Sequence, residues 1–194
     1  VVSCIAAYFS DAACEKVAAL AALTGLSDRI AVRCGDGLTV LREGEARAVA
    51  VCGMGGELMA RLLDDCRVPL MGAELAVFQP MRGVAALRRY LFERGYCILE
   101  DRVVWDTGRY YQVFSASPPT GCERQKVPEG FPADCFELGF CAFEQRDPLL
   151  GKLAAQMLAQ HEKRLKTAAG TRGEALLQKR AADMRIILKG CEQP

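Results

Sequence analysis

The sequence predicts an open, largely parallel α/β sheet followed by an antiparallel two-helix hairpin. Three observations carry this. Short apolar, strand-like runs alternate with helix-spaced runs over residues 1–95, the rhythm of parallel strands joined by crossover helices. Two further strand-like runs, 96–106 and 109–117, meet across Asp106-Thr107-Gly108, a hairpin signature. From residue 149 onward, apolar residues recur at helix spacing in two stretches parted by Ala168-Ala169-Gly170.

Taken in order, VVSCIAAYF (1–9) reads as a buried strand. Asp11 to Leu23 reads as an Ala-rich helix, capped by Ser10 or Asp11 and stopped at Gly25. RIAVRCGDG (29–37) is a strand ending in a Gly-Asp-Gly turn, and ARAVAVCGMGG (46–56) is a strand running into a glycine-rich loop. A helix follows from Glu57 to Cys66, then a strand over 72–80 stopped by Pro80, then an amphipathic helix from Val84 to Arg94. Because these strands are apolar without alternation, the sheet is expected to be covered on both faces. Residues 118–135 are rich in Pro, Gly and charge and read as a linker or surface loop. The stripe at 149, 150, 153, 154, 157, 158 and 165 and the one at 176, 177, 184, 187 and 188 must each bury an apolar face, most simply on one another. The expected division is a body over 1–117, a linker over 118–146 and a helical domain over 147–190.

Composition narrows the class. At 51% apolar and 25% charged residues the chain is an ordinary globular one. No uncharged apolar run approaches the roughly 18 residues of a membrane span. The opening residues are too few for a signal peptide and lack a basic start. Ten cysteines occur without a CxxC. Cys4, Cys52 and Cys97 fall in strand-like runs, which suits free, hydrophobe-like thiols in a reduced cytoplasmic protein. With one histidine in the chain, no metal site is expected. Residues 150–194 hold nine basic and four acidic groups, leaving 16 and 20 elsewhere. A basic appendage on a mildly acidic body suits a nucleic-acid partner, and equally a hairpin with a solvated face.

The distinctive residues sit at the carboxyl ends of strands, where open α/β sheets bind ligands. Asp36, between Gly35 and Gly37, offers an acceptor for an exocyclic amine or a hydroxyl. Gly53-Met54-Gly55-Gly56, after Cys52, leaves backbone N–H groups accessible, but is too short for a dinucleotide fingerprint and has no P-loop lysine. Close helix–sheet packing would use the same glycines. Gln79-Pro80 places an amide suited to a base edge. Arg82 and Arg88 open the next helix, with Arg88 expected to face the cleft. Trp105, Tyr110 and Tyr111 flank the hairpin, where they could stack on a nucleobase or pack in the core. His161 lies in a charged helical turn remote from these loops.

Several of these stretches agree with one family. LSDRIAVRCGDGL (26–38), AVAVCGMGGELMARLL (48–63), FQP (78–80), LRRYLFERGY (87–96) and DTGRYYQVF (106–114), followed by DPLL (147–150), resemble in order the bacterial tRNA (adenine-22-N1)-methyltransferases, the TrmK family. The resemblance covers nearly the whole chain. It implies a class I methyltransferase, Rossmann-like open sheet with a C-terminal coiled-coil-like, tRNA-binding helical domain. It implies S-adenosyl-L-methionine as cofactor, tRNA as partner and methyl transfer to N1 of adenine 22. The protein would be a cytoplasmic monomer without metal or membrane.

The resemblance also implies roles for residues. Asp36, Gly37, Cys52, Gly53, Gly55 and Gly56 would bind the cofactor, with Asp11 as a candidate for its ribose. Gln79, Pro80 and Met54 would be catalytic. Arg82, Arg88, Tyr111, Lys163 and Arg164 would contact the substrate. Two departures accompany it. The family's first strand and its Asp-Ile-Gly-type loop are not in this sequence, which opens at what would be the second strand. Tyr8 stands where a ribose-binding carboxylate is usual, and Gln112 where family members tend to carry Glu. Two other readings use the same motifs: a methyltransferase acting on another substrate, and an RNA-binding protein of this fold with weakened or no catalysis.

Overall fold

The computed structural model describes residues 3–65, 72–119 and 125–192. They form two compact units, residues 1–47 with 61–73, and 48–60 with 74–194.

The first unit begins as a parallel β–α–β turn. Strand β1 (Cys4–Tyr8) leads through helix α1 (Asp11–Leu23) into β2 (Ile30–Cys34), with a 3-10 turn (Gly37–Val40) beyond. Helix α1 starts where the sequence places its cap: the Ser10 hydroxyl accepts from the Ala13 N–H at 3.2 Å. That partners one of the four amides a helix start leaves without one. The strands pair from Cys4↔Ile30 to Tyr8↔Cys34. Past β2, the Arg33 guanidinium donates through both terminal nitrogens to the Glu45 carboxylate. That fork, helped by the Arg42 backbone N–H, holds the Glu45 carboxyl at about 2.

A pH dependence follows from this pair. A carboxyl depressed in the folded state stabilises it above the unfolded value, and the contribution is lost as pH falls through the folded one. Wild type is therefore expected to exceed E45Q in denaturation midpoint near pH 6. The gap should narrow steadily between pH 4.5 and 2, as measured by urea titrations at stepped pH.

The second unit contains β3 (Ala48–Gly55), the start of α2 (Gly56–Asp65), β4 (Leu75–Arg82), α3 (Val84–Glu93), β5 (Cys97–Asp106) and β6 (Arg109–Ser117). Then come α4 (Phe140–Glu144), α5 (Leu150–Ala168) and α6 (Glu174–Cys191). Its sheet order is β3-β4-β6-β5. Strands β3 and β4 run parallel, whereas β6 is antiparallel to both neighbours. The expected hairpin is thus present, with β5 at the edge and β6 tucked inside. Thr107 and Gly108 have φ of 44° and 82°, and Asp106 pairs with Arg109. Two positive-φ residues between paired strands are what a type I′ turn requires.

Among the described residues, the strands form two sheets, β1 with β2 and β3 with β4, β6 and β5. Three expectations need correction. Burial alternates along the strands instead of covering both faces. In β4, Ala76, Phe78 and Pro80 are buried while Leu75, Val77 and Gln79 are not, and no residue of β1 is fully buried. Ala48, Ala50 and Cys52 of β3 are exposed; small apolar residues tolerate exposure, so an apolar run does not dictate two-sided cover. For the same reason Cys4 and Cys52 are exposed thiols, whereas among the described residues Cys135 and Cys141 are buried.

Residues 118–146, expected to be a linker, are one only in part. Phe131, Cys135, Phe136, Leu138, Phe140, Cys141 and Ala142 are all buried. Phe131 meets Phe140 and Phe143, and Phe92 of α3 meets Phe136 and Phe140, at ring distances of 5.4–6.4 Å. Aromatic burial on this scale outweighs the Pro and Gly content that suggests a loop. Residues 120–124 lie outside the described residues, as do Cys66 at the expected end of α2 and the first two residues of the expected first strand.

Helices α5 and α6 pack antiparallel. Gly151 lies against Cys191, and Arg185 Nη2 donates to Glu162 Oε1 at 2.7 Å. Leu150, Leu153 and Ala154 of α5 and Ala181, Met184 and Ile187 of α6 are buried. His161, in its charged helical turn, is 4% exposed, with Nε2 3.1 Å from Glu137 Oε2. Arg180 meets the other Glu137 oxygen at 3.2 Å. Asp147 opens α5: its carboxylate accepts from the Leu149 N–H and, across the unit, from the Val103 N–H of β5. No helix of the described residues is long and apolar enough to cross a membrane.

Candidate functional site

In the second unit, the site forms where β3 and β4 end. Cys52 pairs with Gln79, Met54 with Pro80 and Gly55 with Arg82, with register shifts between these pairs. Gly53 has a φ of 78°, and a Cβ there would meet nothing within 4 Å. The loop therefore turns with its backbone bare. The Gly53 N–H donates to Gln79 Oε1 at 3.1 Å, and Gln79 Nε2 lies 3.4 Å from Met81 Sδ. The amide of Gln79 is thereby oriented, with its oxygen engaged and its NH2 group the remaining donor. Gly56 answers a different need. A Cβ there would sit 2.1 Å from the Gly83 carbonyl oxygen, so only glycine lets the start of α2 approach the turn into α3. Both uses anticipated for this loop, accessible backbone and close packing, occur in it at different glycines.

Beside this turn lies a cleft of about 700 Å³. Pro80, Met81 and Arg82 come from the end of β4, Arg109, Tyr110 and Tyr111 from β6, and Gln156, Gln160 and Arg164 from one face of α5. Three arginines line it and no carboxylate does. Of the expected substrate residues, Arg82, Tyr111 and Arg164 are brought together here. Lys163 is exposed on α5 outside the lining.

Arg88 is a correction. It is 0% exposed and does not face the cleft. Its Nε and Nη2 donate to the two oxygens of Asp101 at 3.1 and 2.7 Å, its Nη1 donates to the Phe136 carbonyl at 3.0 Å, and Nη2 also reaches Gln112 Oε1 at 2.9 Å. Gln112 Nε2 in turn donates to the Glu137 carbonyl at 3.0 Å. Burial pushes the Asp101 carboxyl up, against the pull of Arg88. A helix-start arginine looks like a surface residue in sequence, and its buried partners lie 13 to 48 positions away.

Sequence reasoning missed Gln156 and Gln160 as cleft residues. With Arg164 they recur every fourth position on α5, so polar spacing on an otherwise apolar-striped helix is the signal that could have found them.

The remaining expected cofactor residues belong to the first unit. Asp36 is exposed at the start of the 3-10 turn, and its side chain makes no capping hydrogen bond. Gly37 has a φ of 55°, and a Cβ there would press on Leu62 at 2.8 Å. Asp11 is already engaged: the Cys34 thiol donates to its Oδ1 at 3.0 Å. Together with the neighbouring Cys14, that contact pushes the Cys34 thiol up to about 12. No group of residues suited to a metal ion occurs among the described residues. Within the second unit, the bare backbone at Gly53 suits the close approach of a nucleoside cofactor.

A family model described as a methyltransferase domain matches residues 1–114, more than half of the chain. The chain belongs to the methyltransferase-domain family. The chain is 36% identical over 93 residues to the tRNA (adenine(22)-N(1))-methyltransferase of Bacillus subtilis (strain 168). That match spans 48% of the chain and 39% of the relative's length. Among solved structures, it is similar to the B. subtilis m1A22 tRNA methyltransferase TrmK, with a TM-score of 0.80 and 25% identity over 98% of this chain and 82% of that one. The M. capricolum TrmK, solved with S-adenosyl-homocysteine, shares the fold at a TM-score of 0.79 and 14% identity, over 97% of this chain and 81% of that one. The expected Rossmann-like α/β class therefore holds for this chain.

Proposed function

We propose that the protein transfers a methyl group from S-adenosyl-L-methionine to N1 of adenine 22 in tRNA. The observation that carries this reading is the cleft beside Gln79-Pro80, with three arginines, two tyrosines and no carboxylate. A site built for a small neutral substrate has no use for three cations. One built for an adenine carried on a phosphate backbone does. The relative and the similar solved structure named as m1A22 tRNA methyltransferases support the same substrate.

When bound, S-adenosyl-L-methionine supplies a methyl carbon on a positively charged sulfur that departs as a neutral thioether. Within the second unit, the bare backbone from Cys52 to Gly56 would lie against it. Adenine N1 attacks with its in-plane lone pair, so the protein's main task is alignment. Gln79, its oxygen tied to the Gly53 N–H, presents its NH2 group to an acceptor of the base. Pro80 and Met54, paired across β3 and β4, give a stiff apolar edge beside it. Arg82, Arg109 and Arg164 hold the phosphates, and the basic outer face of the hairpin, Lys163 included, extends that field. The target base must leave its stack, at a cost of a few kcal/mol that the pocket offsets. The positive charge passes from the sulfur to the methylated ring, so the transfer needs no base, and no carboxylate lines the cleft.

The test uses full-length protein, methyl-labelled cofactor and two tRNA transcripts that differ only in A22 or G22. Label should enter the A22 transcript alone. Equal labelling of both, or of neither, would contradict the proposal.

A further inference from the structure

At the tip of the β5–β6 hairpin, Trp105 and Tyr110 face each other across the strands. Their ring centroids are 4.4 Å apart with the planes tilted by 56°. Trp105 is nevertheless 51% exposed, so its indole is not a core residue in want of more cover. The type I′ turn next to it, Thr107-Gly108, holds the pair on a short, tight ribbon rather than a long loop. Tyr110 is shared: it contacts Trp105 and also lines the arginine cleft, next to Arg109. An exposed aromatic face therefore continues outward from a cleft whose charged residues are all cationic.

We infer that the Trp105–Tyr110 pair is a stacking platform for an unpaired nucleobase of the RNA, neighbouring the one held in the cleft. The inference rests on the tRNA reading above and adds a base contact to it. The occupant follows from charge complementarity and shape. The exposed indole face of Trp105 accepts any base, while Arg82, Arg109 and Arg164 of the adjoining cleft match the backbone phosphates. Stacking of this kind also offers a place for a base next to the extruded adenine, whose old partners are lost when the target leaves its stack.

Trp105 is the only tryptophan of the chain, which makes the claim readable by fluorescence. The Trp105 signal, defined as the emission lost in W105L, is followed while full-length protein is titrated with unmodified tRNA transcript. Binding is measured in parallel by filter retention. The expected result is quenching of that emission at the concentration where tRNA is retained. W105L is expected to bind tRNA about 5- to 150-fold more weakly, the equivalent of about 1–3 kcal/mol for one stacked base. W105F should bind within a few-fold of wild type. W105L should melt at the wild-type temperature, because the ring is half exposed. If tRNA is retained but the emission does not change and W105L binds as tightly as wild type, the platform is overturned and the proposed function stands. If wild type retains no tRNA at all, the proposed function falls and the platform falls with it.

Discussion

An Arg88→Ala protein is expected to lose about 3–5 kcal/mol of folding stability, a large share of what holds a domain of this size together. The guanidinium has no solvent exposure, and its four hydrogen bonds serve Asp101, Gln112 and the Phe136 carbonyl. It also lies 4.8 Å from the Phe114 ring centroid. Removing it leaves the Asp101 carboxylate buried without its counter-charge, together with a cavity. The mechanism is tested by adding a second change. Asp101→Leu in the Arg88→Met background removes the orphaned charge and should recover part of the loss, because a buried pair replaced by apolar groups of similar volume is often close to neutral. Urea denaturation midpoints of wild type, the two single variants and the double variant form the cycle. Strictly additive single losses would show that the two groups are not coupled.

The Gln79→Ala change should act on rate rather than stability. Its side chain makes one hydrogen bond to the backbone, from the Gly53 N–H, worth about 0.5–1.5 kcal/mol. If its NH2 group, which also reaches Met81 Sδ, aligns the target base, losing it should lower single-turnover methyl transfer about 100-fold, the scale on which small misplacements of reacting groups are felt. The KM for tRNA should change little, because phosphates held by Arg82, Arg109 and Arg164 are untouched. Gln79→Glu separates the two functions of the amide. It keeps an acceptor for Gly53 but loses the donor, so it should restore stability and not rate.

Much of this fold was legible from local signals. Helix α1 starts at the Ser10 cap, the β5–β6 turn falls at Thr107-Gly108, and the hairpin helices end near Ala168-Ala169-Gly170. Each depends on residues within a few positions of one another. What was not legible depends on distant pairing. Nothing local to β6 says that it inserts between β4 and β5. Nothing local to Arg88 says that Asp101 waits for it inside the unit. The one-turn helix α4 (Phe140–Glu144) is too short to show a period, and its segment was masked by Pro and Gly. In the site, the glycine loop, Gln79 and Pro80 were marked by their type and their strand ends. The α5 wall of the cleft was not, because Gln156 and Gln160 carry no distinctive chemistry alone.

The central claim is that the three-arginine cleft beside Gln79-Pro80 is where the RNA backbone is held for methyl transfer. The measurement that addresses it most directly is the salt dependence of tRNA binding, wild type against R82Q/R109Q/R164Q. Each phosphate contact contributes roughly 0.7–0.9 to the slope of log affinity against log salt concentration. The triple variant is expected to bind more weakly at every salt concentration, with a slope shallower by about 2–3. Parallel lines for the two proteins would mean that these arginines meet no phosphate, and would contradict the account.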